Sequence, residues 1–344
     1  RCFVAMVCSR LLSLSALLGV SAQDVFLAKP AGDCGPSPEV VSKTVSNQGK
    51  FAVWDESLQA LLWVDSPAFT PAWSGSVVYG FRPSDGQTLE VMRFETATVG
   101  TLLPRKAGGL VLGISRPNGG SYVSTFETLD VDSSTLKGSN LQPIASLPGD
   151  TKGKFNNGKC DPDGRLWVGT FDYGKEEEKA AKVWVLKQGD NGPEVSVAVD
   201  GLSHPNGYIF TDDGKLLLSE TYENFVYEFE YSPDSTELGI PKVLVKGKAG
   251  EELIDSICGL ADGSFFATNP DPIGKLVRYS ATGEALCETT VDVPNSHFVA
   301  SCAFVGEDMY VPTGRNGGSD SGSDGWLWRF GGMGKGKVVT PCDL

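Results

Sequence analysis

The sequence predicts an all-β protein, a six-bladed β-propeller, on three observations. One phrase, a tight polar turn followed by a short apolar strand, occurs six times along 344 residues. A second strand, aromatic and alternating, follows every copy. Helical periodicity is nearly absent, whereas period-two runs rich in β-branched and aromatic residues recur between Gly, Asp and Pro, as antiparallel strands require. The clearest copies place their glycines at Gly164, Gly214 and Gly263, spacings of 50 and 49 residues. A unit of that length holds several strands but cannot bury both of its faces alone, so it stacks on like units around a central channel. A β-sandwich of equal strand count would not need such self-similarity.

Taken in order, residues 1–22 read as a secretory signal peptide. The apolar run Leu11–Val20 follows Arg10, and Val20-Ser21-Ala22 offers small residues for cleavage before Gln23. The run is too short to span a bilayer, and no other apolar stretch approaches the roughly twenty residues needed. Residues 23–46 then form a leader, 47–335 one propeller, and 336–344 a C-terminal tail, because a closed ring of blades has no internal boundary. The six copies are Asp55-Glu56-Ser57 leading to Leu61–Asp65, Lys106–Gly109 to Leu110–Gly113, Asp161–Gly164 to Leu166–Thr170, Asp212-Asp213-Gly214 to Leu216–Ser219, Ala261-Asp262-Gly263 to Phe265–Thr268, and Gly306-Glu307-Asp308 to Met309–Pro312. Their followers are Val78–Phe81, Tyr122–Phe126, Val183–Leu186, Val226–Phe229, Leu276–Tyr279 and Leu327–Phe330.

Of eight cysteines, Cys2 and Cys8 lie in the signal segment, leaving Cys34, Cys160, Cys258, Cys287, Cys302 and Cys342. An even number in a secreted chain permits disulfides, and no CxxC metal spacing occurs. A propeller brings its two ends together, which makes Cys34 with Cys342 the preferred pair. Cys160, Cys258 and Cys302 lie in strand-like runs and read equally well as buried thiols. No Asn-x-Ser/Thr sequon occurs, so N-glycosylation is not expected. Loss of Arg1 and Arg10 takes the net charge from −14 to −16. Such acidity disfavours a nucleic-acid partner, which needs basic surface; it serves solubility first and cation binding second. The expected protein is a monomer in the secretory lumen or outside the cell, with no membrane partner after cleavage and a small-molecule ligand.

Two Asn-Gly segments stand where strands should begin: Lys154-Phe155-Asn156-Asn157-Gly158 before the third copy, and Ser203-His204-Pro205-Asn206-Gly207 before the fourth. Asn-Gly is first a turn former, because both residues tolerate positive φ. Here each pair precedes an apolar strand instead of joining two halves of a hairpin. An Asn at the start of an inner strand would aim its amide into the channel mouth. His204, His297, Asp172 and Glu220 are weaker candidates for that mouth. Lys175–Lys179 reads as a solvated loop and Gly317–Gly325 as a flexible one.

The run Phe155–Thr170 resembles the signature of the senescence marker protein (regucalcin), gluconolactonase and luciferin-regenerating enzyme family. Pro205-Asn206-Gly207 before Phe210–Lys215, Val53-Trp54-Asp55 before Leu61–Asp65, Ile254-Asp255-Ser256 before Asp262-Gly263, and Ser301–Phe304 before Met309–Val311 continue the likeness in the same order, over roughly residues 48–332. The resemblance implies a six-bladed propeller holding one divalent cation, usually calcium or zinc, at the channel mouth, and hydrolysis of lactones or, in some members, organophosphates or aryl esters. Its metal ligands are a Glu in the first blade, an Asn that falls on Asn206 and an Asp that falls on Asp255. Asn156 borders the substrate or ligates the metal in some members; a family Arg nearby is Lys154 here, and a family Asp is Asn157. On this pattern Asp255 and Asn156 are the catalytic candidates, Asn206, Asp255 and Asn156 the metal ligands, and Lys50, Lys154, Asn156 and His204 the substrate-binding residues.

One departure decides the chemistry. The family reads Gly-Glu-Gly-Pro-Val-Trp at the ligand Glu, and this chain reads Gly49-Lys50-Phe51-Ala52-Val53-Trp54. Lys50 therefore stands where a carboxylate is expected, and the calcium or zinc site is weakened or lost unless Glu56 or another carboxylate reaches in. An ammonium at that point is able to occupy the cation's place and pair with Asp255. Beside a carboxylate Lys50 stays protonated, so it is not a nucleophile. The leading expectation is a secreted hydrolase of the lactonase type. The alternatives are a catalytically silent, metal-free ligand-binding propeller and the metal-independent strictosidine-synthase-like chemistry of related propellers.

Overall fold

The computed structural model describes residues 32–66, 75–118, 121–149, 151, 153–247, 253–270, 274–291, 298–315 and 325–344. The expected signal segment, His297 and most of the loop at 317–325 lie outside these residues. Among the described residues, six four-stranded antiparallel sheets form the six blades, and Glu176–Glu178, a single 3-10 turn, is the only helical element. The recurring phrase is the second strand of its blade and the aromatic follower the third, as Leu166–Phe171 and Ala181–Gly189 show in blade three.

The aspartate of the phrase recurs because its side chain closes the turn. Asp161 Oδ1 accepts the backbone N–H of Asp163 at 3.0 Å and Arg165 at 2.9 Å, while Oδ2 accepts Arg165 Nε at 2.6 Å and Trp167 Nε1 at 2.8 Å. Asp55 and Asp262 hold their turns through the N–H of Ser57 at 2.8 Å and Ser264 at 3.0 Å. Gly164, Gly214 and Gly263 stand at φ +83°, +78° and +85°, where a side chain would be strained. Asp161 is fully buried, so Asp161→Ala leaves the Arg165 guanidinium and the Trp167 indole short of their acceptor. It is expected to lower unfolding stability by about 3 kcal/mol, read as a lower denaturant midpoint at unchanged slope.

Inner strands Gly49–Asp55, Thr98–Pro104, Lys154–Cys160, Pro205–Phe210, Ile257–Gly259 and Ala303–Val305 surround the channel. In four of them the register to the second strand slips, between Lys50 and Val53, Val99 and Thr101, Phe155 and Gly158, and Pro205 and Tyr208. The two Asn-Gly segments are thus bulges in inner strands, not hairpin turns. A bulge bends its strand and re-aims a side chain. Blades approach closely at the same segments: a Cβ on Gly100 would lie 2.2 Å from the Phe155 carbonyl oxygen, and one on Gly207 2.3 Å from the Ile257 nitrogen.

Both chain ends help to close the ring. Glu39–Ser42, assigned by sequence to the leader, is the outer strand of blade six, with Glu39 opposite Arg329 and Val40 opposite Trp328. A buried cluster of Leu61, Trp63, Phe81, Tyr310 and Leu327 then seals blade one to blade six. The expected Cys34–Cys342 bond is corrected: the disulfides are Cys34–Cys287, Cys160–Cys342 and Cys258–Cys302, so Cys160, Cys258 and Cys302 are not thiols. Cys34 and Cys342 lie against different blades. Cys34 runs beside the outer strand of blade five, its N–H 3.1 Å from the Glu288 carbonyl, whereas Cys342 lies under blade two, its N–H 2.8 Å from the Pro104 carbonyl.

Candidate active site at the channel mouth

Inner strands all begin at one end of the channel, so the residues at their starts share one mouth. Lys50 opens blade one, Lys154 and Asn156 blade three, Asn206 blade four, and Asp255 precedes the inner strand of blade five. Asn156, Asn206 and Asp255 are buried; Lys50, Lys154 and His204 are half-buried.

Hydrogen bonds fix the polar centre. The Asn206 amide donates to Asp255 Oδ1 and, at 3.2 Å, to Thr221 Oγ1, and the Thr221 hydroxyl donates to the same carboxylate oxygen at 3.1 Å. Ser219 Oγ accepts the Gly207 N–H at 2.6 Å and donates to the Asp255 carbonyl at 2.6 Å, tying the bulge of blade four to the start of blade five. The Asn156 amide donates to the Pro205 carbonyl at 3.0 Å, and Asn157 Nδ2 to Ser256 Oγ at 3.1 Å.

Aromatic rings carry the cationic side. The Lys50 ammonium lies 4.9 Å from the Phe298 ring centre and the Lys154 ammonium 5.4 Å from that of Phe171. The His204 ring stacks on Phe171 at 4.1 Å. Each contact places positive charge, or a ring able to bear it, on an aromatic face.

Burial dominates the titration of the group. It pushes the Asp255 carboxyl up to about 6, against the opposing pull of Lys50 and of the Thr221 hydroxyl. It lowers Lys50 to about 8, with Asp255 opposing the fall and Lys154 adding to it. Lys154 is lowered by burial alone, and His204 falls to about 3 through burial and then the two ammonium groups. Near neutral pH the mouth therefore holds an ionised Asp255, a cationic Lys50 and a neutral His204. Two ammoniums against one carboxylate make it a positive point on a chain of net charge −14.

Among the weaker candidates, Glu220 has a structural duty: its carboxylate accepts the N–H groups of Ser203 at 2.7 Å, His204, and Glu223 at 2.8 Å. Asp172 is paired with Lys175 at 2.8 Å. Sequence reasoning missed Thr221, Ser219, Phe171 and Phe298. None carries a local signal beyond its place at a strand end, because what recruits them is the meeting of blades distant in sequence.

A divalent cation does not fit these residues as they stand. No group of three His, Cys, Asp or Glu gathers among the described residues. The Asn206 amide turns its nitrogen, not its oxygen, to Asp255. Lys50 and Lys154 add two positive charges where a hard ion needs six to eight oxygens.

A six-bladed propeller with a bulged, polar and cationic channel mouth is the class that fold and site define. The chain belongs to the SMP-30/gluconolactonase/LRE-like family, whose model matches residues 49–315. It is similar to regucalcin of Oryctolagus cuniculus, 27% identical over 281 residues that span 78% of this chain and 84% of that protein. Human regucalcin is 27% identical over 282 residues, again 78% of this chain and 84% of that one. Among solved structures, the calcium-binding protein regucalcin from Agrobacterium tumefaciens str. C58 superimposes with a TM-score of 0.72 at 17% identity, over 90% of this chain and 98% of that one. A luciferin-regenerating enzyme does so with a TM-score of 0.70 at 19% identity, over 90% and 100%.

Proposed function

We propose that the channel mouth hydrolyses a small lactone or ester without a resident metal, with Lys50 in the place of the cation. The observation that carries this reading is that Lys50 opens the inner strand of blade one at the channel mouth, at the position where the family pattern calls for a carboxylate ligand, with its charge acting on the buried Asp255. Asp255 is the general base. It takes a proton from a water molecule whose oxygen attacks the acyl carbon, and the Lys50 ammonium donates to the oxygen that gains charge. The ring C–O bond then breaks, the proton returns from Asp255 to the leaving alkoxide, and the product is a hydroxy acid. A preorganised donor to such an oxyanion supplies about 3 kcal/mol of the barrier. Asn206 and Thr221 orient the carboxylate, and Asn156 and the half-buried Lys154 border the substrate. His204, held neutral, contributes a flat polar wall.

A specific observation favours a second reading, ligand binding without turnover: Asp255 Oδ1 already accepts two hydrogen bonds, which weakens it as a base. Titration of the purified protein with gluconolactone and with aryl esters, in buffer and in chelator, separates the two. Turnover that survives chelator supports the metal-free hydrolase; binding without turnover supports the silent form; turnover abolished by chelator overturns both.

Secretion belongs to the same proposal. Three disulfides support it, since such bonds persist in oxidising compartments. Material recovered from the medium is expected to begin near Gln23, and N-terminal sequencing that finds Leu11–Val20 retained would refute this.

A further inference from the structure

A second cavity lies away from the mouth. It occupies about 390 Å³ at the opposite end of the channel, against the later residues of the inner strands and under the C-terminal tail. The tail crosses beneath the ring. Lys337 N–H donates to the Gly259 carbonyl at 3.0 Å and Gly336 N–H to Gly306 at 2.9 Å on one side, and Asp343 N–H to Gly164 at 2.9 Å on the other, where Cys342 is bonded to Cys160. Toward the mouth, Asn157 reaches Ser256 from blade three to blade five, and Ser301 Oγ accepts the Ala52 N–H at 2.8 Å. These polar groups line the same cavity.

Lys159 opens into this space without a counter-charge. Its ammonium makes no hydrogen bond or ion pair with a described residue, and the one charged neighbour that acts on it is another cation, Lys337. Burial and that neighbour lower its ammonium to about 8, so it is still largely charged at neutral pH. Lys335 and Lys337 add further positive charge to the lining, and the only lining carboxylate, Asp212, is held by Lys337. Positive charge is thus concentrated in one recess of a chain whose net charge is −14. A half-buried ammonium without a partner is unfavourable, and an anion in the cavity would remove the penalty. Beside the polar groups, the walls carry apolar side chains, Leu102, Ile209, Ile257 and Phe304 among them. A volume of this size suits a small organic ligand.

We propose that this lower cavity is a second binding site, separate from the mouth, for a small monocarboxylate with an apolar body, its carboxylate paired with Lys159. Octanoate and benzoate are suitable probes, read by calorimetric titration of the full mature chain. Both should bind, octanol and inorganic phosphate should bind at least tenfold more weakly, and Lys159→Met should weaken octanoate at least tenfold while leaving octanol unchanged. Lys159→Arg should restore most of the affinity. Met removes a half-buried charge at similar volume, so the variant is expected to fold, and lactone hydrolysis by it should match the parent. Lys50→Met should leave octanoate affinity unchanged. Octanoate affinity that is absent in the parent, unaffected by Lys159→Met, or lost with Lys50→Met overturns the proposal, as does phosphate binding in preference to octanoate. Because the readout is binding, it stands or falls apart from the hydrolase reading of the mouth.

Discussion

Asp255→Asn is expected to abolish most lactone hydrolysis, lowering kcat by roughly 10²- to 10⁴-fold, the usual contribution of a general base. The amide keeps the shape of the carboxylate and still accepts from Thr221, so the polar centre stays assembled and KM should change little. The pH profile makes the assignment sharper. Asp255 works when ionised, so the parent rate should climb as pH rises through about 6. Lys50 works when protonated, so the rate should decline as pH rises through about 8. The parent profile is therefore a bell between those values, and kcat/KM reports it for the free enzyme. The variant should lose the acid limb. Its alkaline limb should move to lower pH, since the attraction that holds up the Lys50 value is gone. A variant that retains the parent rate, or a parent whose rate is flat from pH 5 to 9, would remove Asp255 and Lys50 from the chemistry.

The six blades were legible because the second strand of each is buried on both faces and follows a tight polar turn, closed by Asp55, Asp161 and Asp262 in blades one, three and five, which leaves a strong pattern of apolar runs and glycines. Inner strands were less visible. Their bulges put Asn156, Asn206 and Lys50 into the channel at the cost of regular alternation, so only the position of each Asn-Gly pair before an apolar strand told against a hairpin turn. The outer strand Glu39–Ser42 has four residues and no turn signal, and it joins its sheet by pairing with Leu327–Phe330 almost three hundred residues later. Cysteine pairing failed for the same reason: that both chain ends lie close to the ring says nothing of which strand each passes. The mouth was legible at Lys50, Asn156, Asn206 and Asp255 because the family pattern names those positions. Thr221, Phe171 and Phe298 were not, because each is brought in by tertiary contact alone. The lower cavity was invisible to sequence; Lys159 looks like any solvated strand lysine until the tail is seen to cross beneath it.

Lys50→Glu should convert the mouth into a calcium site. The backbone there is preserved for it: Phe51 holds φ at 56° where the family pattern has Gly, a conformation that costs a non-glycine residue about 1–2 kcal/mol, so the bulge that aims residue 50 has survived the change of residue. Glu at 50 would bring a second carboxylate to Asp255, with the oxygens of Asn206 and Asn156 beside it and water to fill the remaining positions of a six- to eight-coordinate ion. Without metal, two buried carboxylates repel and the variant should be less stable than the parent. With calcium at about a hundred times its Kd it should gain about 2.7 kcal/mol, seen as a calcium-dependent rise in Tm that magnesium reproduces poorly. The parent should show no such rise, because its ammonium already fills the place. Adding Asp255→Asn to Lys50→Glu should erase the calcium response, since a single carboxylate remains. A stoichiometric calcium ion at the mouth of the parent, or a folded Lys50→Glu variant that ignores calcium, would show that Lys50 does not stand in for the cation.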